Sequence, residues 1–330
     1  MSTLNELYLN KPNDLVLREA KALPPVKNNE VKLKIIFGGI CGSDLKVYKG
    51  LISYAAYPLR PGHEVVGTIV EAGQDVLHKV GTRVVVFPNT FCGECEYCKR
   101  GKTNICESKQ PIGVSSDGVF AQEVIIEAKY IVPVPNEIAD ERAVLIEPFA
   151  VTVHALKHAN IQKGNSVAII GCGTEGLFSV ALANKVGANI TVIDVNPMKL
   201  DIAKRLGKNV QILHPKDVRD QLFDVVVEAA GVSASIEQSM EIVKPGGTIV
   251  AIGITCDPVN YPALKITRSE VTIYGSIIYT LEDFAEAIEY LKDPTFDLSP
   301  VLSKVVPLAE FHQAFEDALG GNFAKIALKF

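Results

Sequence analysis

The first 130 residues contain short runs in which apolar and polar side chains alternate, separated by glycine and proline. Alternation with a period of two is typical of strands that bury one face. The pattern predicts strands at residues 31–36, 64–71, 83–87 and 120–127. Because many short strands with little helix between them pair mainly with their neighbours, we expect a mostly antiparallel, barrel-like domain here.

After Pro148 the pattern changes, because buried apolar runs now alternate with segments of helical periodicity. The predicted strands are 166–171, 190–194, 223–228, 247–252 and 271–277. The predicted helices are 175–186, 197–206, 233–243 and 281–292. Alternating strands and helices predict a doubly wound parallel sheet. Residues 301–330 return to short strands with one helix, and we expect them to rejoin the first domain.

Composition and charge narrow the class of protein. The chain has 330 residues, of which 48% are hydrophobic and 22% charged, enough for a full core and about two domains. The net charge of −5 comes with no basic stretch, which argues against nucleic acid or anionic membrane as partner and favours a small molecule. Residues 1–10 lack the features of a secretion signal, and no apolar run reaches about 18 residues, so we expect no membrane span and a cytoplasmic protein.

Four of the seven cysteines lie in one short segment with the spacing C-x2-C-x2-C-x7-C. They are Cys92, Cys95, Cys98 and Cys106. Four thiolates in one loop are typical of a closed tetrahedral zinc site that is structural and has no room for substrate. The alternatives are disulfides, which would be strained at this density, and an iron–sulfur cluster, whose ferredoxin run ends in x3 rather than x7. The spacing favours zinc, and clustered cysteines agree with a reducing compartment.

A glycine-rich turn follows the predicted strand 166–171. Gly171, Gly173 and Gly176 satisfy G-x-G-x-x-G between a strand and a helix, the context in which this pattern indicates dinucleotide binding. Asp194 lies at the end of the next strand, where a carboxylate can accept hydrogen bonds from the adenine-ribose hydroxyls and would repel a 2′-phosphate. The pattern therefore favours NAD over NADP. A methyltransferase shares these features, so this region alone does not define the reaction.

A second set of candidate metal ligands comes from three separate loops. Its members are Cys41, His63, Glu64 and Glu147. One thiolate, one imidazole and one or two carboxylates form an asymmetric set that leaves a coordination position open for a substrate oxygen, as catalytic zinc requires. Asp44 is a candidate to orient His63. Taken singly, each of these residues is more often structural, and only their combination favours a metal site.

These residues together resemble the zinc-dependent medium-chain dehydrogenases, the alcohol and polyol dehydrogenase family. The resemblance covers nearly the whole chain and is carried by Cys41-Gly42-Ser43-Asp44, Gly62-His63-Glu64, the four-cysteine run, Glu147-Pro148, the glycine loop, Asp194 and Lys-Pro-Gly-Gly at 244–247. Glutamate at position 147 resembles the sorbitol, polyol, glucose and butanediol dehydrogenases, whereas simple alcohol dehydrogenases carry cysteine there.

The resemblance implies an α/β protein of two domains. Residues 1–149 and 293–330 would form a GroES-like β-barrel catalytic domain, and residues 150–292 a Rossmann NAD-binding domain. It further implies two zinc ions per chain, one catalytic and one structural, and a homodimer or homotetramer. The predicted strand 271–277 is the edge that could pair across a two-fold axis.

The resemblance also implies roles for individual residues. Cys41 and His63 would bind the catalytic zinc, with Glu64 or Glu147 completing the set directly or through water, and Ser43 would accept the first proton. The residues implied at the cofactor are Gly171, Gly173, Thr174, Glu175, Gly176, Asp194, Lys199 and Gly253.

Three departures from the family pattern bear on function. Lys46 stands where many relatives have a histidine that passes the proton to solvent. The stretch 276–279, Ser-Ile-Ile-Tyr, replaces the Phe-Arg-Tyr that contacts hydroxylated substrate in sorbitol dehydrogenases. Thr174 and Glu175 replace a common proline–aliphatic pair, which puts a carboxylate near the pyrophosphate.

The predicted function is reversible oxidation of a secondary alcohol of a polyol, sugar alcohol or vicinal diol to a ketone, with hydride transfer to NAD. Within the family, an aldose or L-threonine is the alternative substrate. The alternatives from other classes are a nucleotide-binding sensor or structural protein without catalysis, and a Rossmann methyltransferase, which would have no use for Cys41 and His63.

Overall fold

The computed structural model describes residues 4–330, which divide into two compact units. The first comprises residues 4–147 and 302–330, and the second residues 148–301. The predictions that concern residues 1–10 and the start of the first domain fall partly on residues 1–3, which lie outside the described residues. None of the helices in the described part of the chain combines the length and the apolar character that a bilayer crossing needs.

The elements of the chain up to the first boundary are mostly short strands. The strands are β1 Asn5–Leu9, β2 Leu15–Glu19, β3 Glu30–Ile40, β4 Glu64–Ala72, β5 Arg83–Val86, β6 Glu123–Glu127 and β7 Ile131–Pro133. The helices are α1 Gly42–Tyr48, α2 Glu96–Lys99, α3 Asp140–Ala143 and α4 Ile146–Ala159. The last of these begins in the first unit and continues into the second.

The rest of the chain alternates strands and helices before returning to the first unit. The strands are β8 Ser166–Ile170, β9 Asn189–Ile193, β10 Gln211–Leu213, β11 Phe223–Glu228, β12 Val243–Ala251, β13 Thr272–Gly275, β14 Leu302–Pro307 and β15 Lys325–Lys329. The helices are α5 Thr174–Val186, α6 Pro197–Leu206, α7 Ser233–Ile242, α8 Ala263–Arg268, α9 Leu281–Lys292 and α10 Phe311–Leu319.

The sheet of the first unit has the order β14-β15-β3-β4-β5-β7, with β6 also paired to β3. Its pairs are antiparallel except for β14 and β15. Strand β15 pairs with β3, so the C-terminal segment joins the first unit as predicted. The core of this unit is mainly aliphatic, with Leu33, Ile69 and Val84 fully buried, and it also contains Phe120 and Phe315. These features confirm the predicted barrel-like, mainly antiparallel class.

The predicted strand 120–127 is wrong at its start, because the ladder begins only at Glu123. The amide of Phe120 donates instead to the carbonyl of Pro61, and Ala121 forms an isolated bridge with Glu6. The alternation of apolar and polar residues therefore continues through residues 120–122, although the backbone of these residues bonds to segments outside the strand ladder of β6.

The second unit contains a parallel sheet of order β10-β9-β8-β11-β12-β13. All five pairs are parallel, and an α-helix lies between successive strands except between β10 and β11. The order reverses at β8, since β9 lies on one side of it and β11 on the other. This is the doubly wound arrangement that was predicted, and such sheets bind ligands outside the carboxyl ends of the strands at the reversal.

Candidate active site and cofactor site

Two adjacent strands bring the catalytic candidates together. Cys41 directly follows β3, and Glu64 begins β4, the antiparallel neighbour in which Gly39 faces Glu64. The ligand atoms of Cys41, His63 and Glu64 all lie within 4.8 Å of one another. The chain thus joins residues of two loops into one cluster, which holds a soft thiolate, an imidazole and a carboxylate and suits zinc.

The Asp44 side chain is hydrogen-bonded to both of these loops. Its carboxylate, 1% exposed, accepts hydrogen bonds from the amides of Cys41 at 2.9 Å and Gly62 at 3.1 Å. The Nδ1 atom of His63 lies 3.5 Å from Asp44 Oδ1, and its Nε2 atom lies 3.4 Å from Ser43 Oγ. Asp44 is therefore placed to orient the imidazole so that Nε2 faces the cluster.

The electrostatics of His63 follow from these neighbours. Burial disfavours the charged imidazole, but Asp44 and Cys41 outweigh burial and raise the pKa of His63 well above its ordinary value. A bound metal cation competes for the same position as that proton, because a histidine ligand has to be neutral at the coordinating nitrogen. An environment that favours positive charge at this point is the one a divalent cation needs.

Glu64 is engaged by a lysine from the other end of the chain. Lys325 Nζ donates to both carboxylate oxygens, at 2.6 and 2.7 Å, and to the carbonyl of Ile40 at 3.3 Å. The side chains of Glu64 and Lys325 are 0% and 2% exposed. Gly39 leaves the space for this pair, since a Cβ there would lie 2.3 Å from a Glu64 oxygen. Both oxygens of Glu64 thus already have a cationic partner.

Glu147 has a different position. It lies in the first turn of α4 and is buried, with 7% of its surface exposed. Among the described residues it is not part of the group whose ligand atoms lie within 4.8 Å of one another. Lys46 lies on α1 three residues after Ser43, with an exposed side chain.

The four cysteines form a second cluster, again with ligand atoms within 4.8 Å of one another. The sulfur of Cys92 lies 3.6 Å from that of Cys106 and 4.0 Å from that of Cys98, so no disulfide is formed. Sulfurs bound to one tetrahedral zinc at about 2.3 Å lie roughly 3.8 Å apart, which matches these separations. The cluster therefore fits a zinc ion and excludes the disulfide alternative.

Backbone amides surround these sulfurs. The amides of Cys95 and Glu94 donate to Cys92 Sγ at 3.3 and 3.5 Å, and the amide of Cys98 donates to Cys95 Sγ at 3.5 Å. Hydrogen bonds from the amides of Cys98 and Glu107 lower the pKa of the Cys95 thiol to about 6. These amides thus stabilise the thiolates of Cys92 and Cys95, the form that binds a metal, whereas burial raises the pKa of the Cys98 thiol to about 12.

The glycine loop has the geometry that a pyrophosphate needs. Gly171 has a φ of 96°, and a Cβ on Gly176 would lie 1.8 Å from the Gly171 carbonyl, so both positions require glycine. A Cβ on Gly173 would meet no atom within 4 Å. Gly173 is the N-cap of α5 and has no side chain to bond the first amides. This open helix N-terminus fits an approaching phosphate group.

The remaining cofactor candidates flank this loop. Asp194 follows β9 and accepts hydrogen bonds from the amides of Cys172 at 2.5 Å and Asn196 at 2.7 Å, so its carboxylate joins the glycine loop to the start of α6. Lys199 lies in the first turn of α6. Gly253 follows β12, and a Cβ there would lie 2.3 Å from the amide nitrogen of Gly231.

The side chain of Glu175 is hydrogen-bonded to α4. Thr152 Oγ1 donates to Glu175 Oε2 at 2.8 Å, and Thr152 is completely buried in α4. Thr174, which precedes Glu175, is the first residue of α5. The carboxylate in the glycine loop is therefore held by a specific partner.

The stretch 276–279, which departs from the polyol dehydrogenase pattern, is partly inaccessible. Tyr279 is completely buried, with its ring 5.4 Å from that of Phe284. Ile278 has a φ of 57°, an uncommon value for a β-branched residue. Tyr279 thus packs in the core of its unit beside Phe284.

Two functional candidates were missed at the level of sequence, Lys325 and Thr152. Lys325 alternates with Ile326 and Leu328 in β15, so its position in the pattern predicts a solvent-facing side chain. Thr152 lies in an apolar helical stretch with no motif around it. In both cases the only signal is a polar residue beside a buried run, which does not identify its partner.

The chain matches known families and proteins along its whole length. Residues 27–136 match the alcohol dehydrogenase GroES-like domain, and residues 176–293 the zinc-binding dehydrogenase family. The chain is 34% identical to D-arabinitol dehydrogenase 1 of Uromyces fabae, over 99% of this chain and 97% of that protein. It is 32% identical to L-galactonate-5-dehydrogenase of Escherichia coli K12, over 96% and 95%. It is 31% identical to L-threonine 3-dehydrogenase of Paraburkholderia phytofirmans, over 97% of both.

Solved structures agree with these relatives. A zinc-binding dehydrogenase from Sinorhizobium meliloti 1021 bound to NADP and an alcohol dehydrogenase from Escherichia coli CFT073 complexed with NADH each have a TM-score of 0.93 and 26% identity over 100% of both chains. The fold, the two clusters and the glycine loop agree with these matches. The chain therefore belongs to the zinc-dependent medium-chain dehydrogenase family, in its polyol dehydrogenase branch, and is an NAD-dependent alcohol dehydrogenase.

Proposed function

We propose that this enzyme oxidises a secondary hydroxyl of a polyol, sugar alcohol or vicinal diol to a ketone, and that the Cys41 cluster is its catalytic zinc site. The observation that carries the proposal is the convergence of Cys41, His63 and Glu64 within 4.8 Å, with Ser43 Oγ 3.4 Å from the imidazole. The similarity to D-arabinitol dehydrogenase 1 and L-galactonate-5-dehydrogenase supports a polyhydroxylated substrate.

In this proposal Cys41 and His63 hold the zinc, and Asp44 keeps the imidazole in place. Zinc held there would supply a Lewis acid for the substrate hydroxyl, and NAD held at the glycine loop would supply the hydride acceptor. Ser43 lies beside His63 Nε2 and is placed to take the hydroxyl proton. Lys46 lies one helical turn later and would not relay the proton in the way that a histidine does. We therefore expect solvent to take the proton from Ser43.

We propose that Glu147, rather than Glu64, completes the zinc site, directly or through a bound water. Glu64 is held by Lys325 through both oxygens, and a carboxylate with this partner is a weak competitor for the metal. Zinc binding by Glu64 would place a second cation next to the buried Lys325 ammonium group, and the repulsion between the two cations would weaken this ligand. A structure of the zinc-loaded enzyme tests this point, and a metal–oxygen distance near 2.1 Å to Glu64 would contradict it.

The substrate class is tested by a panel of alcohols with NAD reduction as the readout. The panel should contain pentitols, hexitols, vicinal diols, aldonic acids, aldoses and L-threonine, since a relative is an L-threonine 3-dehydrogenase. We expect the highest kcat/KM with a polyol or diol. A preference for L-threonine or an aldose would overturn the substrate class but leave the chemistry of the zinc site unchanged.

We also propose that the enzyme is a cytoplasmic homo-oligomer, a dimer or tetramer. The grouping of unpaired cysteines supports a reducing compartment. Among the described residues β13 is an edge strand of its sheet, and Tyr274 in this strand and Ile277 just after it are exposed, which supports pairing with a second copy. Light scattering tests the assembly, and a monomer at micromolar concentration would contradict it.

A further inference from the structure

Glu175 places a carboxylate in the first turn of α5, the turn that faces the dinucleotide in this fold. An acid in a first turn stabilises the helix through its dipole, but the same charge repels a pyrophosphate bound at that turn. The direction in which the side chain is held therefore determines the half of the cofactor on which its charge acts.

Thr152 determines that direction. Its hydroxyl lies 2.8 Å from Glu175 Oε2 and 3.3 Å from the Glu175 carbonyl oxygen, and the threonine is completely buried. The Glu175 carbonyl also accepts a hydrogen bond from Ser179 Oγ at 2.8 Å. Backbone and carboxylate are thus both anchored, and the carboxylate is fixed towards α4.

Helix α4 packs on the β13 side of this unit. The ring of His158 stacks on Tyr274 of β13 with the centroids 5.2 Å apart. The Nδ1 atom of His154 lies 2.7 Å from Asp283 of α9, the helix that follows β13. Strand β13 is the edge opposite β10 and β9. Glu175 therefore extends from the glycine loop away from β9.

The direction in which the dinucleotide lies across the strands follows from the same sheet. Asp194 ends β9, so the adenosine half belongs on that side of β8. The pyrophosphate lies at the reversal of strand order, and the nicotinamide half continues on the β11 and β12 side, where Gly253 is found. Glu175 is directed towards this half.

We propose that Glu175, held by Thr152, lies beside the nicotinamide half of the cofactor and raises the affinity of the protein for NAD+ relative to its affinity for NADH. The two forms carry the same pyrophosphate, but only the oxidised ring has a positive charge. A fixed carboxylate near that ring favours the oxidised form selectively. This role of Glu175 rests on the NAD-dependent activity of the enzyme, and the uncharged aliphatic residue common at this position could not fill it.

The test is the dissociation constants of NAD+ and NADH for the zinc-loaded protein, by calorimetry for NAD+ and cofactor fluorescence for NADH. For Glu175→Gln we expect the ratio Kd(NADH)/Kd(NAD+) to fall about 3- to 10-fold, the effect of one charge about 6 Å away at an effective dielectric constant of roughly 40–80. The fall should come mainly from weaker NAD+ binding, and added salt should reduce it.

The role of Thr152 is tested in a double-mutant cycle. Thr152→Val keeps the shape but removes the hydroxyl, so the ratio should fall in the wild-type background and stay constant in the Glu175→Gln background. Thr152→Ser keeps the hydroxyl and should retain the wild-type ratio of dissociation constants. If the valine variant is unstable, the ratio of the serine variant is the measurement that remains, and a changed ratio there would contradict the role of the hydroxyl. A change of ratio on adding Thr152→Val to Glu175→Gln would overturn the positioning role.

Glu282→Gln is the matched control, because Glu282 is an exposed acid in the first turn of α9 in the same unit. It should leave the ratio unchanged. If Glu175→Gln tightens NAD+ and NADH equally, the carboxylate acts on the pyrophosphate and the proposal is wrong. If only thermal stability changes, Glu175 is a helix-stabilising acid and the proposal is also wrong. If the Glu175→Gln variant still oxidises polyols in either case, the proposed function is unaffected.

Discussion

The two metal-ligand clusters of this enzyme are built in opposite ways. The four-cysteine cluster comes from one loop, with Cys92 and Cys106 only 14 residues apart, and backbone amides of the same loop stabilise the sulfurs. The Cys41 cluster is assembled from separate strands, and its Glu64 is held by a lysine 261 residues away. The first is closed by local backbone geometry, whereas the second depends on buried charges brought together by the fold.

The two clusters should therefore respond differently when one metal ligand is removed. Removing a thiolate from the local cluster removes the reason for the loop to fold, because little else in that loop is buried. The Cys41 cluster lies against a sheet with its own apolar core, so the loss of a ligand should affect chemistry before stability. The variants below test this contrast, in order of expected effect.

Cys95→Ser should have the largest effect. It should lower the bound zinc from two ions to one and cost folding free energy, since structural zinc contributes on the order of 10 kcal/mol in small zinc domains. Zinc analysis and thermal unfolding measure both effects. Cys256→Ser, at an exposed cysteine outside both clusters, is the control. Unchanged stability with loss of hydride transfer would mean that the two sites have been assigned in reverse.

Cys41→Ala should lower kcat/KM by at least about a thousandfold, because Lewis-acid stabilisation is worth several kcal/mol. We expect one zinc per chain, near-native thermal stability and an unchanged NADH dissociation constant, since the glycine loop lies in the other unit. Steady-state kinetics and NADH fluorescence measure these quantities. An active Cys41→Ala enzyme would exclude the proposed zinc mechanism.

Lys325→Met should destabilise the first unit by about 3–5 kcal/mol, because it leaves the Glu64 carboxylate buried without a partner. The double variant Glu64→Gln with Lys325→Met should recover much of this loss. Urea unfolding measures the free energies. As a control, Lys304→Met removes a partly exposed pair with Asp317 and should cost less than about 1 kcal/mol. Equal costs for the two lysines would show that the buried pair has no special role.

Asp283 tests the same dependence on distant charges in the second unit. Burial raises its pKa, but hydrogen bonds from His154, Lys157 and Thr280 outweigh burial and hold the pKa well below the usual range. Because the folded pKa is below the unfolded value of about 4, this stabilisation is present above pH 4 and is lost as the pH falls further. Hydrogen bonds to a charged group are worth about 1.5–3 kcal/mol each.

The measurement is urea unfolding of wild type and Asp283→Asn at pH 7 and pH 3. The stability gap between the two proteins should be largest at pH 7 and shrink at pH 3. Asp201→Asn, on the exposed face of α6, serves as control and should show little gap at either pH. A gap for Asp283→Asn that does not depend on pH would contradict the assignment.

Much of the fold could be predicted because the pattern is local. The alternation of strands and helices from Ser166 to Lys292 indicated the parallel sheet, and the helix Leu281–Lys292 has the predicted bounds. Errors occurred where backbone partners are distant, as at Phe120, whose amide bonds to Pro61 rather than to a strand ladder. Local periodicity reports which face is buried, and it does not report which backbone lies opposite.

The cysteine cluster and the glycine loop could be read from the amino-acid sequence, because each is a set of residues close along the chain whose spacing carries its geometry, and the order of these and other motifs indicated the family. The packing of distant elements was needed to reveal that Lys325 pairs with Glu64 and that Thr152 holds the Glu175 carboxylate. Both are contacts between side chains of distant elements. Their energies come from burial and from the proximity of charge, and these quantities exist only once the strands and helices have packed.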